Sequence, residues 1–306
     1  MTLSSRVLGL FKKVGMGKTV RECYKHSIYR ELYYRLETQN KQFLKVQREI
    51  EDSSMILDAT NIGLEKDLFL QNIREAESTK IFRSEIEEGD AIADIGSNIG
   101  YYTLMAAKEA GNSGKVFSIE PDPETYQRLN ENIELNDYSN IKTLNKAIGS
   151  SRKKEYFTRS KITNTRHIHY EGEEKDLEVE VQSLDNVIEE NIDVVRMDVE
   201  GYEHNILKGM KNTLSENNVK LFLEMHPRKI KFYDSSLEDL MSFLSRYDFK
   251  VKYLVRHSMK GNPSQFIRLS HPKREVLEVN QSIENTLDNH QSFFRFNKPF
   301  RVFLEN

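Results

Sequence analysis

Cysteine is almost absent from this chain: Cys23 stands alone among 306 residues. One thiol builds neither a disulfide framework nor a cysteine zinc site, and it suits a reducing compartment. No apolar run approaches the ~18 residues of a membrane span. The apolar start from Val7 to Phe11 is too short for the core of a secretory leader and has no small-residue cleavage site after it. A cytoplasmic protein is therefore expected. No internal repeat or low-complexity tract is present. Charged residues make up 30% and hydrophobic residues 38%, the balance of a globular chain with a charged surface.

The net charge is small, −3, but unevenly spread. Residues 1–50 hold 11 Lys and Arg against four Glu, a balance of +7 that leaves −10 for residues 51–306. The basic segment is read as a helical cap on its own acidic domain, or as a weak contact with an anionic membrane surface. Its helical character rests on Leu32, Tyr33, Leu36, Phe43 and Leu44, which recur at helical spacing within residues 4–50. Gly17-Lys18-Thr19 ends like a phosphate-binding loop. Lys12 stands where that motif needs glycine, however, and no apolar strand precedes it.

The most informative stretch is Ala-Ile-Ala-Asp-Ile-Gly-Ser-Asn-Ile-Gly, residues 91–100. It reads as a strand, a turn through Gly96, Ser97, Asn98 and Gly100, then a helix. Open α/β sheets hold nucleotide-like ligands at such turns, where glycine allows close backbone approach and helix amides point at the ligand. The spacing is D-x-G-x-x-x-G. A dinucleotide motif has glycine where Asp94 stands, and a carboxylate there repels pyrophosphate. Asp94 instead suits a cationic adenosyl ligand, S-adenosylmethionine. A second strand, Val116 to Ile119, ends in Glu120-Pro121-Asp122, where an acidic side chain can accept both ribose hydroxyls.

Beyond Gly89 strands and helices alternate. Strands are expected at 91–95, 115–120, 141–148, 193–198, 219–225 and 248–255, and helices at 99–109, 123–135, 202–214 and 236–246. Leu68 to Phe82 reads as one helix, and residues 54–58 as a short strand. Residues 150–185 form an insertion in which Glu155–Phe157 and Leu177–Val181 read as a hairpin or two edge strands, with a polar, basic tract from Lys161 to His169 between them. Residues 257–295 read as loop-rich, and Arg301 to Leu304 as a last strand. Phe293, Phe294, Phe296 and Phe300 are read as core. The domains expected are a basic helical extension over 1–50 and a main domain over 51–306.

With these pieces in hand the chain resembles the FkbM family of S-adenosylmethionine-dependent methyltransferases. The resemblance rests on Asp94 to Thr103, Ser118 to Pro123, Asn145 to Ile148, Met197 to Glu203 and Leu223 to Pro227. It covers a core of about residues 65–256. It implies the class I methyltransferase fold: a Rossmann-like, mostly parallel seven-stranded sheet with helices on both faces and an antiparallel last strand. It also implies O-methylation of a hydroxyl on a sugar, glycan, lipid or secondary metabolite. Carried over by position, Gly96, Ser97, Asn98 and Gly100 line the methionine part, Glu120 holds the ribose, and Asn145 to Ala147 lie beside adenine. Tyr101 and Pro121 are counted among the cofactor contacts, with one of Tyr101 and Tyr102 expected inside and the other towards the cofactor. Many class I enzymes place an acidic group near the adenine amine where Lys146 stands here.

Methyl transfer from a sulfonium needs an in-line nucleophile, and an alcohol needs help to lose its proton. The groups expected to help lie at the ends of the fourth and fifth strands: Asp198, Glu200, Glu224 and His226. Strand alternation puts Glu224 and His226 on one side. Two readings stay open, a His226 base oriented by a carboxylate and a divalent metal on Asp198, Glu224 and His226; no metal is expected. Glu203 is read as a solvated or helix-capping residue. His167 and His169 share a strand face beside Lys161 and Arg166, and are read as exposed loop residues or as contacts to an acidic acceptor. Asp198-Val199-Glu200-Gly201 replaces the Asn- or Asp-Pro-Pro-aromatic turn of base-methylating enzymes, and residues 51–306 are acidic. Nucleic acid is therefore not an expected partner. A non-catalytic module that binds S-adenosylmethionine is the remaining alternative.

Overall fold

The computed structural model describes residues 44–306 apart from 62, 160–165, 172–173, 217, 258–273 and 295–297. The helix, the lysine turn and the membrane contact read into residues 1–43 lie outside the described residues, as do Lys161 and Phe296. The chain divides into two compact units, one comprising residues up to 74 with 257–273, the other 75–256 with 274–306.

In the first unit β1 (Lys45–Ile50) pairs antiparallel with β2 (Ser53–Asp58). Glu51 and Asp52 join them, both with positive φ, the conformation of a tight two-residue hairpin turn. The helix expected to run to residue 50 is thus replaced by a strand over Lys45–Ile50. Its exposure alternates with period two and the turn closes it locally. The helix expected over 68–82 is two. α1 (Leu64–Gln71) stops at Asn72, which takes the left-handed conformation at φ 58°. α2 (Ala76–Ser84) then begins the second unit.

The second unit is built on an eight-stranded sheet. Its strands are β3 (Ala91–Ile95), β4 (Lys115–Ile119), β5 (Ile141–Leu144), β10 (Val194–Met197), β11 (Lys220–Met225), β12 (Lys250–His257), β13 (Arg274–Ser282) and β14 (Phe300–Glu305). The order is β13-β12-β14-β11-β10-β3-β4-β5. The strands from β11 to β5 are parallel, and β14 runs antiparallel between β11 and β12. Near-continuous apolar runs such as Val194-Val195 and Ile92-Ala93 mark strands covered on both faces. Seven of these strands are the arrangement expected. β13 adds an eighth at the edge, from a stretch read as loop, and α9 (Ile283–Asn289) and α10 (Gln291–Phe294) follow it.

The strand expected over 141–148 breaks at Asn145-Lys146. β5 stays in the main sheet, while β6 (Ala147–Ile148) joins a four-stranded sheet with β7 (Lys153–Arg159), β8 (Arg166–Ile168) and β9 (Leu177–Gln182), in the order β6-β9-β7-β8. The insertion is therefore a small sheet rather than a lone hairpin.

Among the helices, α3 (Tyr101–Ala110) follows the glycine turn and α4 (Pro123–Glu134) follows Asp122, whose side chain caps it. α5 (Leu184–Val187) leads towards β10. The helix expected over 202–214 splits into α6 (Glu203–Leu207) and α7 (Lys211–Ser215). Between them a Cβ at Gly209 would lie 1.9 Å from the Gly149 carbonyl oxygen, so backbone meets backbone there. α8 (Leu237–Leu244) opens with a reciprocal Ser236–Asp239 capping box.

The sheet order reverses between β3 and β10. Connections leave β3 towards β4 and later return to β10 on its other side. Open α/β sheets have their ligand crevice at such a reversal, beyond the carboxyl ends of the strands.

Candidate active site

β3 ends in Asp94-Ile95 and the chain turns through Gly96, with φ +79°. A Cβ on Gly96 would stand 2.2 Å from the Asp198 carbonyl oxygen. The glycine is thus required by the chain's own packing against the end of β10. Ser97 is locked between β3 and β4: its hydroxyl donates to the Asp94 carbonyl at 2.7 Å and accepts from the Ile119 amide at 2.8 Å. Asn98 has φ 52°, and its side chain accepts from the Ile99 amide at 2.8 Å. Gly100 caps α3.

The structure places Asp94 differently from the open carboxylate that the sequence suggests. The residue is 0% exposed. One oxygen accepts from Thr103 Oγ1 at 2.7 Å and the other from Arg196 at 3.1 Å. Arg196, facing Asp94 across the β3–β10 register, also donates to Asp198 at 3.1 Å and to the Gly96 carbonyl at 3.0 Å. Its guanidinium lies 4.4 Å from the centroid of Tyr102. Asp94 and Arg196 therefore neutralise one another inside the sheet and fix the turn. Sequence reasoning missed Arg196; its one signal is a lone cation within the apolar run Val194–Met197.

Glu120 lies at the carboxyl end of β4. Its oxygens accept from the Asn98 and Asp122 amides, both at 2.9 Å. Burial pushes its carboxyl up to about 7, against the lowering effect of those two donors. Asn145 donates its side-chain amide to the Glu120 carbonyl at 2.9 Å and the Pro121 carbonyl at 3.1 Å, tying the end of β5 to this loop. Ala147 is buried in β6 and paired with Val181 of the small sheet. Tyr101 is buried, its hydroxyl 3.3 Å from Thr79 Oγ1 and its ring edge-on to Tyr102.

The ends of β10 and β11 bring Asp198, Glu224 and His226 together: one ligand-type atom from each lies within 4.8 Å of the others. These are also the described residues that would hold a divalent cation. Glu224 faces Arg301 in the β11–β14 register and accepts from it at 2.6 Å; Arg301 also pairs with Glu75. Burial pushes the Glu224 carboxyl up to about 7, with Asp198 and Glu75 adding to the effect and Arg301 opposing it.

Glu203 is the largest departure from the sequence reading. It is 0% exposed, so it is not solvated, and it caps the Gly201 amide ahead of the helix from a buried position. One oxygen accepts from His226 Nδ1 at 2.7 Å and from the Gly201 amide at 3.0 Å. The other is buried without a hydrogen-bond partner. His226 Nε2 faces Glu200 at 3.4 Å and Glu224 at 3.9 Å. Burial works against a charge on this ring, but the Glu203 hydrogen bond and the carboxylates of Glu203, Glu224 and Glu200 outweigh it and lift the pKa to about 10. His226 thus carries its proton at neutral pH. Glu200 takes the left-handed conformation at φ 58° and pairs with Lys229. Gly201 follows at φ +107°, where a Cβ would stand 2.6 Å from Lys229 Cβ. In the insertion His167 is buried, not exposed, and His169 Nδ1 lies 3.1 Å from Thr158 Oγ1.

The hexuronic acid methyltransferase AglP of Haloferax volcanii is 32% identical over 156 residues, 50% of this chain and 62% of AglP. A protein-L-isoaspartate O-methyltransferase of Methanococcus aeolicus is 32% identical over 69 residues, 22% of this chain and 32% of that protein. The chain thus spans less than two thirds of the length of either relative. The crystal structure of a transferase, PH0793 of Pyrococcus horikoshii, has a TM-score of 0.50 at 15% identity, covering 93% of this chain and 84% of that one; this shows the fold alone. No helix among the described residues is long and apolar enough to cross a membrane. The family model of the methyltransferase FkbM domain matches residues 94–251, from Asp94 through the Asp198–Glu224–His226 cluster to β12 and over half of the chain. The chain belongs to the FkbM methyltransferase family.

Proposed function

We propose that the protein transfers a methyl group from S-adenosylmethionine to a hydroxyl oxygen of a sugar or glycan. The observation that carries this reading is the cluster of Asp198, Glu224 and His226 at the carboxyl edge of β10 and β11, beside the turn at Gly96. The hexuronic acid acceptor of AglP supports the sugar class.

The residues present suit the adenosyl group. Glu120 has a desolvated carboxyl whose two backbone bonds leave lone pairs for two ribose hydroxyls. The backbone of Gly96, Ser97, Asn98 and Gly100 would hold the methionine part, with Tyr101 buried in the helix that follows. Pro121, Asn145 and Ala147 frame the adenine side. Asp94 and Arg196 are positioning residues that hold this turn against Asp198. When bound, S-adenosylmethionine supplies a sulfonium methyl whose carbon–sulfur bond breaks as the acceptor oxygen attacks, the electron pair leaving with sulfur.

Glu224 takes the hydroxyl proton, because a carboxyl lifted to about 7 is matched to that task near neutral pH. His226, held protonated by Glu203, donates from Nε2 to the oxygen as its negative charge develops. Glu224 and Glu200 complete the anionic wall that keeps this proton on the ring. A divalent cation at the same place would compete with that proton. Calorimetry with S-adenosylmethionine, and transfer of a labelled methyl to hexuronate-containing oligosaccharides, test the reading. A protein that does not bind S-adenosylmethionine overturns it, and binding without transfer to any hydroxyl acceptor favours a non-catalytic module.

A further inference from the structure

After Pro227 come Arg228, Lys229 and a 3-10 turn over Ile230–Tyr233. The turn is tied to the active site at its base. The amides of Lys229 and Ile230 donate to the His226 carbonyl at 2.9 and 3.0 Å, and the Lys229 ammonium pairs with Glu200. At its tip it is tied to the small sheet, where the Tyr233 hydroxyl donates to the Ile168 carbonyl.

Phe232, on this turn, is 51% exposed. Its ring lies nearly flat on Tyr170, with centroids 4.2 Å apart and an interplanar angle of 11°. Tyr170 in turn stacks over His167 at 5.5 Å and 24°, and Tyr233 braces it edge-on. The result is a ladder of three rings whose inner end is buried and whose outer ring is half open to solvent. Stacking fixes the orientation of Phe232 without removing it from water. A ring held in one orientation and left half open to solvent is an apolar platform that a flat partner can cover. Arg228 and Lys231 precede Phe232 in the chain, by four residues and by one. Both are exposed, and neither forms an ion pair among the described residues. A pyranose presents an apolar C–H face to such a ring, and a carboxylate on that pyranose complements the two cations.

We propose that Phe232, backed by Tyr170, is an acceptor subsite that stacks an anionic sugar ring, with Arg228 and Lys231 pairing with its carboxylate. The inference rests on the sugar-acceptor reading above and deepens it to a hexuronate-class unit, held six residues along the chain from His226. The turn that carries the subsite hangs on the His226 carbonyl, which puts the subsite on the segment that leaves the end of β11.

The test is calorimetric titration of the full chain with a glucuronate-containing disaccharide, its neutral glucose counterpart and single-stranded polyuridylate. Saturable binding of the uronate disaccharide is expected. It should weaken at least tenfold in Phe232→Ala, recover in Phe232→Tyr, and weaken in Arg228→Ser with Lys231→Ser, while the neutral disaccharide binds less tightly than the uronate. Equal affinity of wild type and Phe232→Ala for the uronate, or no saturable binding by the wild type, overturns the proposal. So does polyuridylate binding more tightly and being lost in Phe232→Ala, since bases also stack on exposed aromatic rings. S-adenosylmethionine affinity, measured on the same proteins, separates the two readings. Its loss in the wild type overturns the methyltransferase reading. Its retention, with uronate binding indifferent to Phe232, overturns the subsite alone.

Discussion

Replacing Glu203 by Gln isolates the charge that holds His226 in its protonated state. The two side chains have the same shape. The amide oxygen can still accept from the Gly201 amide and from Nδ1, as Oε1 does at 3.0 and 2.7 Å. The new amide nitrogen takes the place of Oε2, which has no hydrogen-bond partner to lose. What disappears is the negative charge. A hydrogen bond to a charged group contributes about 1.5–3 kcal/mol, roughly twice a neutral one. Losing that excess lowers the alkaline limit of His226 protonation from about 10 by about one pH unit. Selective labelling of the eight histidines at Cε1 allows the His226 resonance to be followed by NMR through a pH titration, with no acceptor required. In wild type the resonance should stay in its protonated position past pH 8 and move near 10; in Glu203→Gln it should move earlier. The methyl-transfer rate should follow, rising as Glu224 ionises near 7 and falling at the alkaline end, with the falling limb displaced towards neutral in the variant. A wild-type resonance that titrates near 6.5, or a variant titrating with the wild type, would refute the assigned roles of Glu203 and His226.

Four further outcomes are expected. Asp94→Ala leaves Arg196 facing Asp198 alone and should cost about 3–5 kcal/mol in denaturant unfolding, much of it recovered when Arg196→Met is added; an unaltered midpoint contradicts the buried pair. Glu120→Gln should weaken S-adenosylmethionine binding at least tenfold by calorimetry, since a carboxylate accepting two hydroxyls contributes more than about 1.4 kcal/mol. Wild-type affinity should also decline as pH falls below about 7, where Glu120 takes up a proton. Thermal stability should decrease from mildly acidic to alkaline pH. Glu120 and Glu224 have folded pKa values raised to about 7, so their contribution is present below 4.5 and lost as pH rises through 7; that of His226 is present below 6.5 and lost as pH rises through about 10. A melting temperature that climbs over this range contradicts the assignments. Finally, chelation with EDTA should leave the transfer rate unchanged. A loss restored by added magnesium or manganese would move the role of the His226 proton to a metal on Asp198, Glu224 and His226.

The parts of the site read correctly as neighbours in space are those that strand ends bring together. Asp198, Glu224 and His226 could be grouped because each ends a recognisable apolar strand, and parallel strands in one sheet finish at one edge. The turn from Gly96 to Gly100 was visible for the same reason, flanked by a strand and a helix whose patterns are local. Other features left weaker marks. Arg196 looks like a chance charge until the β3–β10 register sets it opposite Asp94. Glu203 has the sequence position of a helix cap, and only packing shows it buried beneath His226. β7 and β9 of the small sheet were legible as an antiparallel pair, but β6, β8 and β13 escaped because they are short or polar-edged and are recruited by neighbouring strands. Lys45–Ile50 reads as a continuation of the segment before it until pairing with Ser53–Asp58 imposes a period of two.

Residue order alone was enough for the α/β alternation, the glycine turn, the acidic ends of β4, β10 and β11, and the family, because each is written within a few consecutive residues. Protonation was settled elsewhere. Whether Asp94 is an open anion or a neutralised brace, and whether His226 is a base or a charged donor, depends on carboxylates and guanidinia that lie up to 102 residues apart in the chain and meet only across the sheet. Burial and through-space charge set a group's ionisation, and neither has a local signature in the chain.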